Sequence, residues 1–499
     1  MLTFKFNGYQ ETIPFGKHRG ATVDELPLDY IEWLLNSADH GWVDENRDVL
    51  RDRLVNLDEA KIPELDLKDD QVVASDYVTE TLFDEGEPLA RIQGAAGYGK
   101  SYTCQDIVIK AKREGYMVNA CATSYVATQN LSKDLDLLNV PCATIARTLA
   151  LDVEYEGTTE RYVPGVRTAK ALPKILGEGH LLIVDEYSMV DDNTAQLLID
   201  SANQYGGRLL VVGDAYQLPS PAQDWDSLLT AVENATELTI PKRYTAGTPL
   251  HLVEQIARHR PYEFDARQFS GSGAVEQVMS LDALYDRYVE SYHENQDDQH
   301  LMLWYRRADM VSANRALRDR LYGRDSQAIQ PGESLRVQRT SDYTEYYAGD
   351  GSRVYSGTTF KVSEVHEVNR VVRIDEFNLS FEIPCYYVDT DKGERFAVVF
   401  SVNENKAESG TLGAVEFNEA LRVLSERCSE VNSFKAYRQF RNCFVQVSYS
   451  YASTVHRVQG QSVDRVFTCP EALRRADPFT AAKLQYVGLT RAKKQLVCL

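Results

Sequence analysis

Residues 71–240 are built from short apolar runs separated by longer mixed stretches. Pro88-Leu-Ala-Arg-Ile92, Leu181-Leu-Ile-Val184 and Leu209-Leu-Val-Val212 have the near-continuous apolar character of strands covered on both faces. The stretches between them, such as Ser101 to Lys112, are compatible with helices. Strands alternating with helices predict a parallel α/β sheet. Within it, Leu151-Asp-Val-Glu-Tyr155 alternates strictly, Glu156-Gly-Thr-Thr turns, and Arg161-Tyr-Val163 returns. This pattern predicts a β-hairpin inserted in the sheet, over about 150–178.

A second α/β set begins at Leu301-Met-Leu-Trp304, resumes at Phe444-Val-Gln-Val-Ser448 and closes with Gln495-Leu-Val-Cys-Leu499. The interruption, 335–445, carries short β runs at 358–365, 371–374, 384–388 and 396–400, followed by a helical stretch from Ala414 to about Arg441. Such a sequence predicts a small barrel with a helical appendage. Residues 1–55 read as a unit of their own. Phe15-Gly-Lys-His-Arg-Gly20 is a glycine-bounded turn, and Tyr30, Ile31, Leu34 and Leu35 recur as on one buried helical face. Residues 61–67 read as a linker.

Length and composition narrow the class. At 499 residues, 43% hydrophobic and 26% charged, the chain suits two to four compact units. No apolar run reaches membrane-spanning length and the N-terminus lacks a signal-peptide core, so no membrane partner and a cytoplasmic setting, in a bacterium or a phage-infected host, are expected. The eight cysteines have no zinc-type spacing and read as reduced thiols. A net charge of −20 argues against loose coating of duplex DNA but leaves room for a narrow basic channel.

The candidate chemistry starts at Gly94-Ala95-Ala96-Gly97-Tyr98-Gly99-Lys100-Ser101, a phosphate-binding loop of the form GxxxxGK[ST]. Glycines let backbone N–H groups turn toward phosphates, and the following helix N-terminus adds partial positive charge. Lys100 would reach the β- and γ-phosphates of ATP, and the Ser101 hydroxyl would sit on Mg²⁺. The nucleotide-binding set extends to Tyr102. Asp185 and Glu186 end an apolar strand. Asp185 would hold the metal and Glu186 would take a proton from the attacking water.

Further segments follow in fixed order: Leu209-Leu-Val-Val-Gly-Asp-Ala-Tyr-Gln-Leu-Pro-Ser220, Thr239-Ile-Pro-Lys-Arg-Tyr244, Thr454-Val-His-Arg-Val-Gln-Gly-Gln-Ser462 and Tyr486-Val-Gly-Leu-Thr-Arg-Ala492. Together with the loop and the Asp-Glu pair, these resemble superfamily-one helicases of the 5′-to-3′ branch, in the layout of Dda-like and RecD-like enzymes, over about residues 65–499. The resemblance implies two RecA-like motor domains, at 65–240 and at 241–334 with 446–499, the second interrupted by the insertion 335–445. It assigns Gln71 to adenine, Gln217 to sensing the γ-phosphate, and Gly460 to the nucleotide site. Arg243 and Arg491 match arginines that close on the γ-phosphate from the second motor domain, where an inserted guanidinium is worth about 10³–10⁵ in rate. Thr123, Ser124, Thr144, Thr454 and His456 match contacts to single-stranded DNA, and hydroxyls grip phosphates without reading sequence. The hairpin takes the slot of a strand-separating pin, with Tyr155 or Tyr162 either stacking at a duplex fork or anchoring the hairpin.

The pattern departs from the family at several positions. Thr123-Ser124 replaces Pro-Thr, Ala215 replaces a proline, Gly488 replaces an alanine, and Arg306-Arg307 stands where Asn-Lys is common. Phe434 to Arg441 interleaves aromatics with cations, as in single-strand binding, although the spacing favours a packed amphipathic helix. Residues 1–55 lie outside this resemblance. They resemble a small domain of unknown role found beside nucleases and in phage proteins, and Lys17-His18-Arg19 is a candidate for phosphate contact. The expected function is an ATP-dependent helicase acting on single-stranded and forked duplex DNA with replication or recombination proteins as partners. The alternatives are a translocase that strips or remodels protein–DNA complexes and a binding module with a vestigial ATPase.

Overall fold

The computed structural model describes residues 12–55 except 27–29, 32–33, 36–37 and 39, and residues 62–499 except 157–158, 270, 325, 340, 343–352, 401–411 and 432. Two compact units divide the chain, Met1–Asp152 with Tyr162–Thr245, and Val153–Arg161 with Ala246–Leu499.

The first unit contains β1 (Leu89–Gly94), β2 (Met117–Ala122), β3 (Cys142–Thr144), β6 (His180–Asp185), β7 (Arg208–Gly213) and β8 (Ala235–Leu238), in a sheet ordered β3-β2-β6-β7-β1-β8. All its pairings are parallel. The apolar runs are continuous because both faces of the sheet are covered. Leu181, Ile183, Leu210 and Val212 point into one core, and Leu182, Val184, Leu209 and Val211 into the other. Every strand ends on the same edge, where polar loops collect and where ligands bind in such sheets. The inserted β4 (Asp152–Glu156) and β5 (Thr159–Val163) form a two-stranded sheet of their own among the described residues. The turn at 157–158 and the Tyr155 side chain lie outside the described residues.

Residues 12–55 have their own core of Ile13, Val23, Leu26, Ile31, Leu34, Leu35, Trp42, Val43 and Leu50. Ile31, Leu34 and Leu35 of the expected apolar helical face are therefore buried, and Tyr30 packs against them partly buried. The basic turn is closed by backbone bonds from Gly20 N to Ile13 O (2.8 Å) and from Ile13 N to Ala21 O (2.9 Å).

In the second unit, β9 (Val275–Gln277), β10 (His300–Trp304), β18 (Ala452–Thr454), β19 (Val463–Thr468) and β20 (Ala492–Cys498) form a parallel sheet ordered β18-β10-β19-β20-β9. β11 (Ser334–Val337), β14 (Thr359–Ile374), β15 (Leu379–Thr390), β16 (Arg395–Phe400) and β17 (Val445–Tyr449) close into a barrel, and β12 (Ser341–Asp342) pairs with β13 (Arg353–Val354). Two expectations change here. The runs 358–365 and 371–374 are one strand, β14, paired with β15 in a long hairpin. The segment 444–448 does not resume the motor sheet. As β17 it closes the barrel between β11 and β16, because Val445 and Val447 point into the barrel core with Phe360, Val388 and Phe396.

Phe396, Val398 and Phe400 fill the barrel, whereas Ala397 and Val399 turn outward beneath the helices Ala414–Glu430 and Lys435–Arg441. Phe440 is fully buried in that contact and Arg441 is also buried. The aromatic–cation stretch is thus the packed amphipathic helix that its spacing favours. Among the described residues, no helix is long and apolar enough to cross a membrane.

The separate N-terminal core makes a local prediction. Leu50 is fully buried there, and Leu50→Ala should cost about 2–5 kcal/mol. Hydrogen exchange should accelerate across residues 12–55 and leave β1 and β6 protected. Equal acceleration in both regions would mean that the two cores unfold together.

Candidate active site

The loop 95–99 leaves β1 and enters the helix Lys100–Arg113. Gly97 (φ +87°) and Gly99 (φ +88°) take left-handed conformations, which side-chain-bearing residues rarely adopt. Turning the N–H groups inward leaves carbonyls facing outward, and each needs a donor. Gly97 O accepts from Lys242 N and Arg243 N, both at 2.8 Å. Gly99 O accepts from Gln71 Nε2 (3.0 Å). Lys100 Nζ donates to Gly94 O (2.7 Å) and Ala95 O (3.2 Å), which holds the ammonium across the mouth of the loop.

The placement of Arg243 is a correction. The resemblance put it on the second motor domain, but it belongs to the first unit and packs on the phosphate loop itself. The cause is Asp70, which the sequence reading overlooked. Its carboxylate accepts from Thr239 N (2.9 Å) and Ile240 N (2.8 Å) and pairs with Lys242 Nζ (3.3 Å). The segment after β8 is thereby pinned beside the helix Asp69–Thr79, and the next residues fall onto Gly97. Adjacent Gln71 is 2% exposed, and its Oε1 accepts from Lys68 N (3.1 Å). Both ends of its carboxamide are engaged within the protein, and each end keeps one further hydrogen-bonding position.

At the end of β6, Asp185 Oδ1 accepts from Glu186 N (2.9 Å). Burial first, and then the Glu186 charge, hold the Asp185 carboxyl well above the ordinary carboxylate range, with Lys100 offsetting part of that effect. Glu186 is left-handed (φ 53°, ψ 48°), a strained state for a residue with a Cβ and one that collects at functional sites. Its Oε2 is buried and has no hydrogen-bond partner among the described residues. The Asp185 carboxylate and the Ser101 hydroxyl are hard oxygen donors of the kind that suits a cation such as Mg²⁺. Gln217, 1% exposed, follows β7, with its N–H on Asp214 O (3.1 Å).

Other predicted positions fall on the strand-end edges. Ala122 pairs with both Thr144 and Asp185, so Thr144 stands in register with Asp185, and Thr123 and Glu186 are the next residues on their own strands. Ser124 caps the helix Tyr125–Leu135, its Oγ accepting from Ala127 N (3.2 Å). Tyr98 is buried, whereas Tyr102 is half exposed. In the second unit, Thr454 ends β18 opposite Trp304, and the His456 ring lies 6.1 Å from that of Tyr305. Burial pushes the His456 pKa down. Gly460 has φ +72°. Arg491 is 2% exposed, and its guanidinium donates to Val487 O (3.1 Å), Gln461 O (3.1 Å) and Thr490 Oγ1 (3.3 Å).

An AAA domain model matches residues 67–278, and a UvrD-like helicase C-terminal domain model matches residues 449–499. The chain is similar to the ATP-dependent DNA helicase dda of Enterobacteria phage T4, with 24% identity over 446 residues, 81% of this chain and 92% of the relative. Both domain models and this relative make the chain similar to the superfamily-one helicases of the Dda type. Among solved structures, Pif1 helicase from Candida albicans has 14% identity and a TM-score of 0.46, covering 87% of this chain and 94% of that one. Pif1 helicase from Bacteroides in complex with ADP-AlF3 and ssDNA has 14% identity and a TM-score of 0.48, covering 87% and 92%.

One departure from the helicase pattern now has a packing cause. A Cβ at Gly488 would stand 2.9 Å from Leu473 Cδ1, and Leu473 is itself fully buried.

The loop geometry predicts how one glycine responds. A Cβ on Gly97 would meet Arg243 Cβ at 2.4 Å, and a left-handed alanine adds about 1–3 kcal/mol of strain. Gly97→Ala should weaken binding of a fluorescent ATP analogue roughly tenfold or more. Gly115→Ala has a similar φ (+83°) and no atom within 4 Å, and should leave that affinity unchanged. Equal affinities in the two variants would remove the loop from the nucleotide site.

Proposed function

We propose that this chain is an ATP-dependent DNA helicase that moves 5′ to 3′ along single-stranded DNA and separates forked duplex. The observation that carries the reading is the left-handed Glu186 beside Asp185, at the same sheet edge as the glycine-curled loop. A glycine turn alone needs no such pair, whereas hydrolysis does. The 24% identical relative spanning most of the chain is named as an ATP-dependent DNA helicase, and polarity is inferred from that resemblance alone.

In this reading the loop N–H groups and Lys100 bind the β- and γ-phosphates, and Gln71 orders the loop while reading the base. Ser101 and Asp185 would hold Mg²⁺, whose contribution when bound is neutralisation of phosphate charge. Glu186 takes the proton of the attacking water through its Oε2, which has no partner among the described residues. Arg243 stabilises the transferring phosphoryl group from the loop's own side, and Arg491 keeps the γ-phosphate role that the resemblance implies. Gln217 senses the γ-phosphate, and Gly460 belongs to the nucleotide site.

Thr123, Ser124, Thr144, Thr454 and His456 contact the single strand. Hydroxyls, helix ends and a neutral imidazole are sequence-tolerant contacts, as a translocating motor requires. Replication or recombination proteins are the proposed partners, in the cytoplasm of a bacterium or an infected host.

Two experiments test the reading. Lys100→Ala should abolish ATP binding and hydrolysis, whereas Glu186→Gln should bind ATP normally and lose about 10²–10⁴-fold in turnover, as expected for removal of a general base. Near-normal ATP hydrolysis stimulated by single strands in either variant would refute the assignment. The second concerns the hairpin. Its base is tied down by Arg167 Nε on Asp152 Oδ1 (2.7 Å), and Tyr162 is 56% exposed. Replacing residues 153–162 by a tight turn should leave ATP hydrolysis on a bare single strand intact and sharply reduce unwinding of a 5′-tailed duplex. Loss of both would make the hairpin structural, and unwinding confined to 3′-tailed duplex would reverse the polarity.

A further inference from the structure

Gln93 stands on β1 immediately before the phosphate loop and is 7% exposed. A carboxamide at that depth is costly unless its hydrogen bonds are met. Its Oε1 accepts the Tyr187 hydroxyl, Ala215 N (3.0 Å) and, at a longer distance, Arg91 Nη1 (3.5 Å). Its Nε2 donates to Asp214 Oδ1 (3.2 Å), which also accepts from Tyr216 N (3.0 Å). Asp214 is fully buried, as is Tyr187.

These partners are not scattered. Tyr187 directly follows Glu186, and Asp214 and Ala215 lead into Gln217. One side chain therefore bonds to the segment beside the hydrolytic carboxylate and to the sensor segment, from a backbone that continues into the phosphate loop. The Tyr187 ring also lies flush with β7, since a Cβ on Gly213 would stand 2.9 Å from Tyr187 Cδ1.

Position 215 supplies the second, independent observation. It is alanine where the helicase pattern has proline. Proline has no N–H and a restricted φ, so the Ala215–Gln93 bond exists only because of this departure. A rigid loop residue has been exchanged for a hydrogen-bonded one.

We propose that Gln93 is a positioning residue that locks the Glu186 turn and the Gln217 segment to the phosphate loop, so that the three respond to the γ-phosphate as one body. The inference rests on the helicase reading, to which it adds how nucleotide state is transmitted. Gln93 itself takes no part in the chemistry. Its loss leaves the phosphate loop able to bind ATP but uncouples the groups that act on it.

The test measures single-strand-stimulated ATP turnover, and single-strand affinity with a non-hydrolysable ATP analogue and with ADP, in the full chain. Gln93→Leu should lower kcat about tenfold or more with less than about a threefold change in KM for ATP. The affinity difference between the two nucleotide states should collapse toward unity. Tyr187→Phe keeps the ring and removes one bond, so kcat should fall by about two- to fivefold, and the double variant should be no worse than Gln93→Leu, the non-additivity of groups acting through one another.

Multiplicative effects in the double variant, or equal losses in kcat and KM, would overturn the proposal, as would wild-type coupling in Gln93→Leu. Should Gln93→Leu fail to fold, Tyr187→Phe decides, and unchanged kcat with unchanged nucleotide-dependent affinity overturns the proposal. A wild-type chain without ATP hydrolysis above the Lys100→Ala background would instead refute the helicase reading on which it stands.

Discussion

The carbonyl of Gly97 is the atom on which the organisation of the first unit turns. A loop that points its N–H groups at phosphates must point carbonyls the other way, and a carbonyl left bare at that depth costs about 1–3 kcal/mol. Gly97 O is met by two N–H groups at 2.8 Å from residues 242–243. That contact requires the chain to return to the loop after β8, and Asp70 secures the return by accepting from residues 239 and 240. Arg243 is consequently delivered to the loop by backbone geometry. Its position follows from hydrogen-bond satisfaction as much as from any need of the nucleotide.

The same economy of polar groups explains the acidic strand end. Asp185 lies beside Glu186, and desolvation and mutual repulsion both push its proton affinity up. The native arrangement keeps that unfavourable pair in place and adds a left-handed backbone at Glu186. Strain of this kind persists only where the surroundings over-determine it. Here they do, because β6 is flanked by β2 and β7 and Tyr187 is fully buried on the far side of the turn.

The second unit solves a different problem, the attachment of a barrel to a parallel sheet. Glu333, fully buried just before β11, pairs with Arg318 Nε (3.0 Å) and accepts from the Tyr451 hydroxyl (2.7 Å) and Gln330 N (2.9 Å). Arg318 lies on the helix Arg307–Tyr322, which follows β10, and Tyr451 directly precedes β18. One ion pair with two further hydrogen bonds on its carboxylate thus joins both ends of the insertion. Asn314 adds a second clasp, exchanging hydrogen bonds with Ala452 (3.2 and 2.8 Å). Removing one partner of such a buried pair is typically far more costly than the pair's net contribution.

The sequence by itself determined what local pattern can carry. The apolar runs ending in Gly94, Asp185 and Gly213 specified parallel strands, and the alternation at 151–163 specified a hairpin. The spacing of Gly97, Gly99 and Lys100 specified a phosphate loop, because those requirements concern consecutive residues. Only the tertiary structure decided where Arg243 lies, that Val445–Tyr449 closes the barrel rather than the motor sheet, and that β14 is one long strand. It alone brought Asp70 to residues 239–242 and Gln93 to Tyr187 and Ala215. These contacts join residues 94 to 172 positions apart. A single polar residue within or beside an apolar run shows that a partner must exist. Which partner it is depends on the order in which strands are laid side by side, and no local periodicity encodes that order.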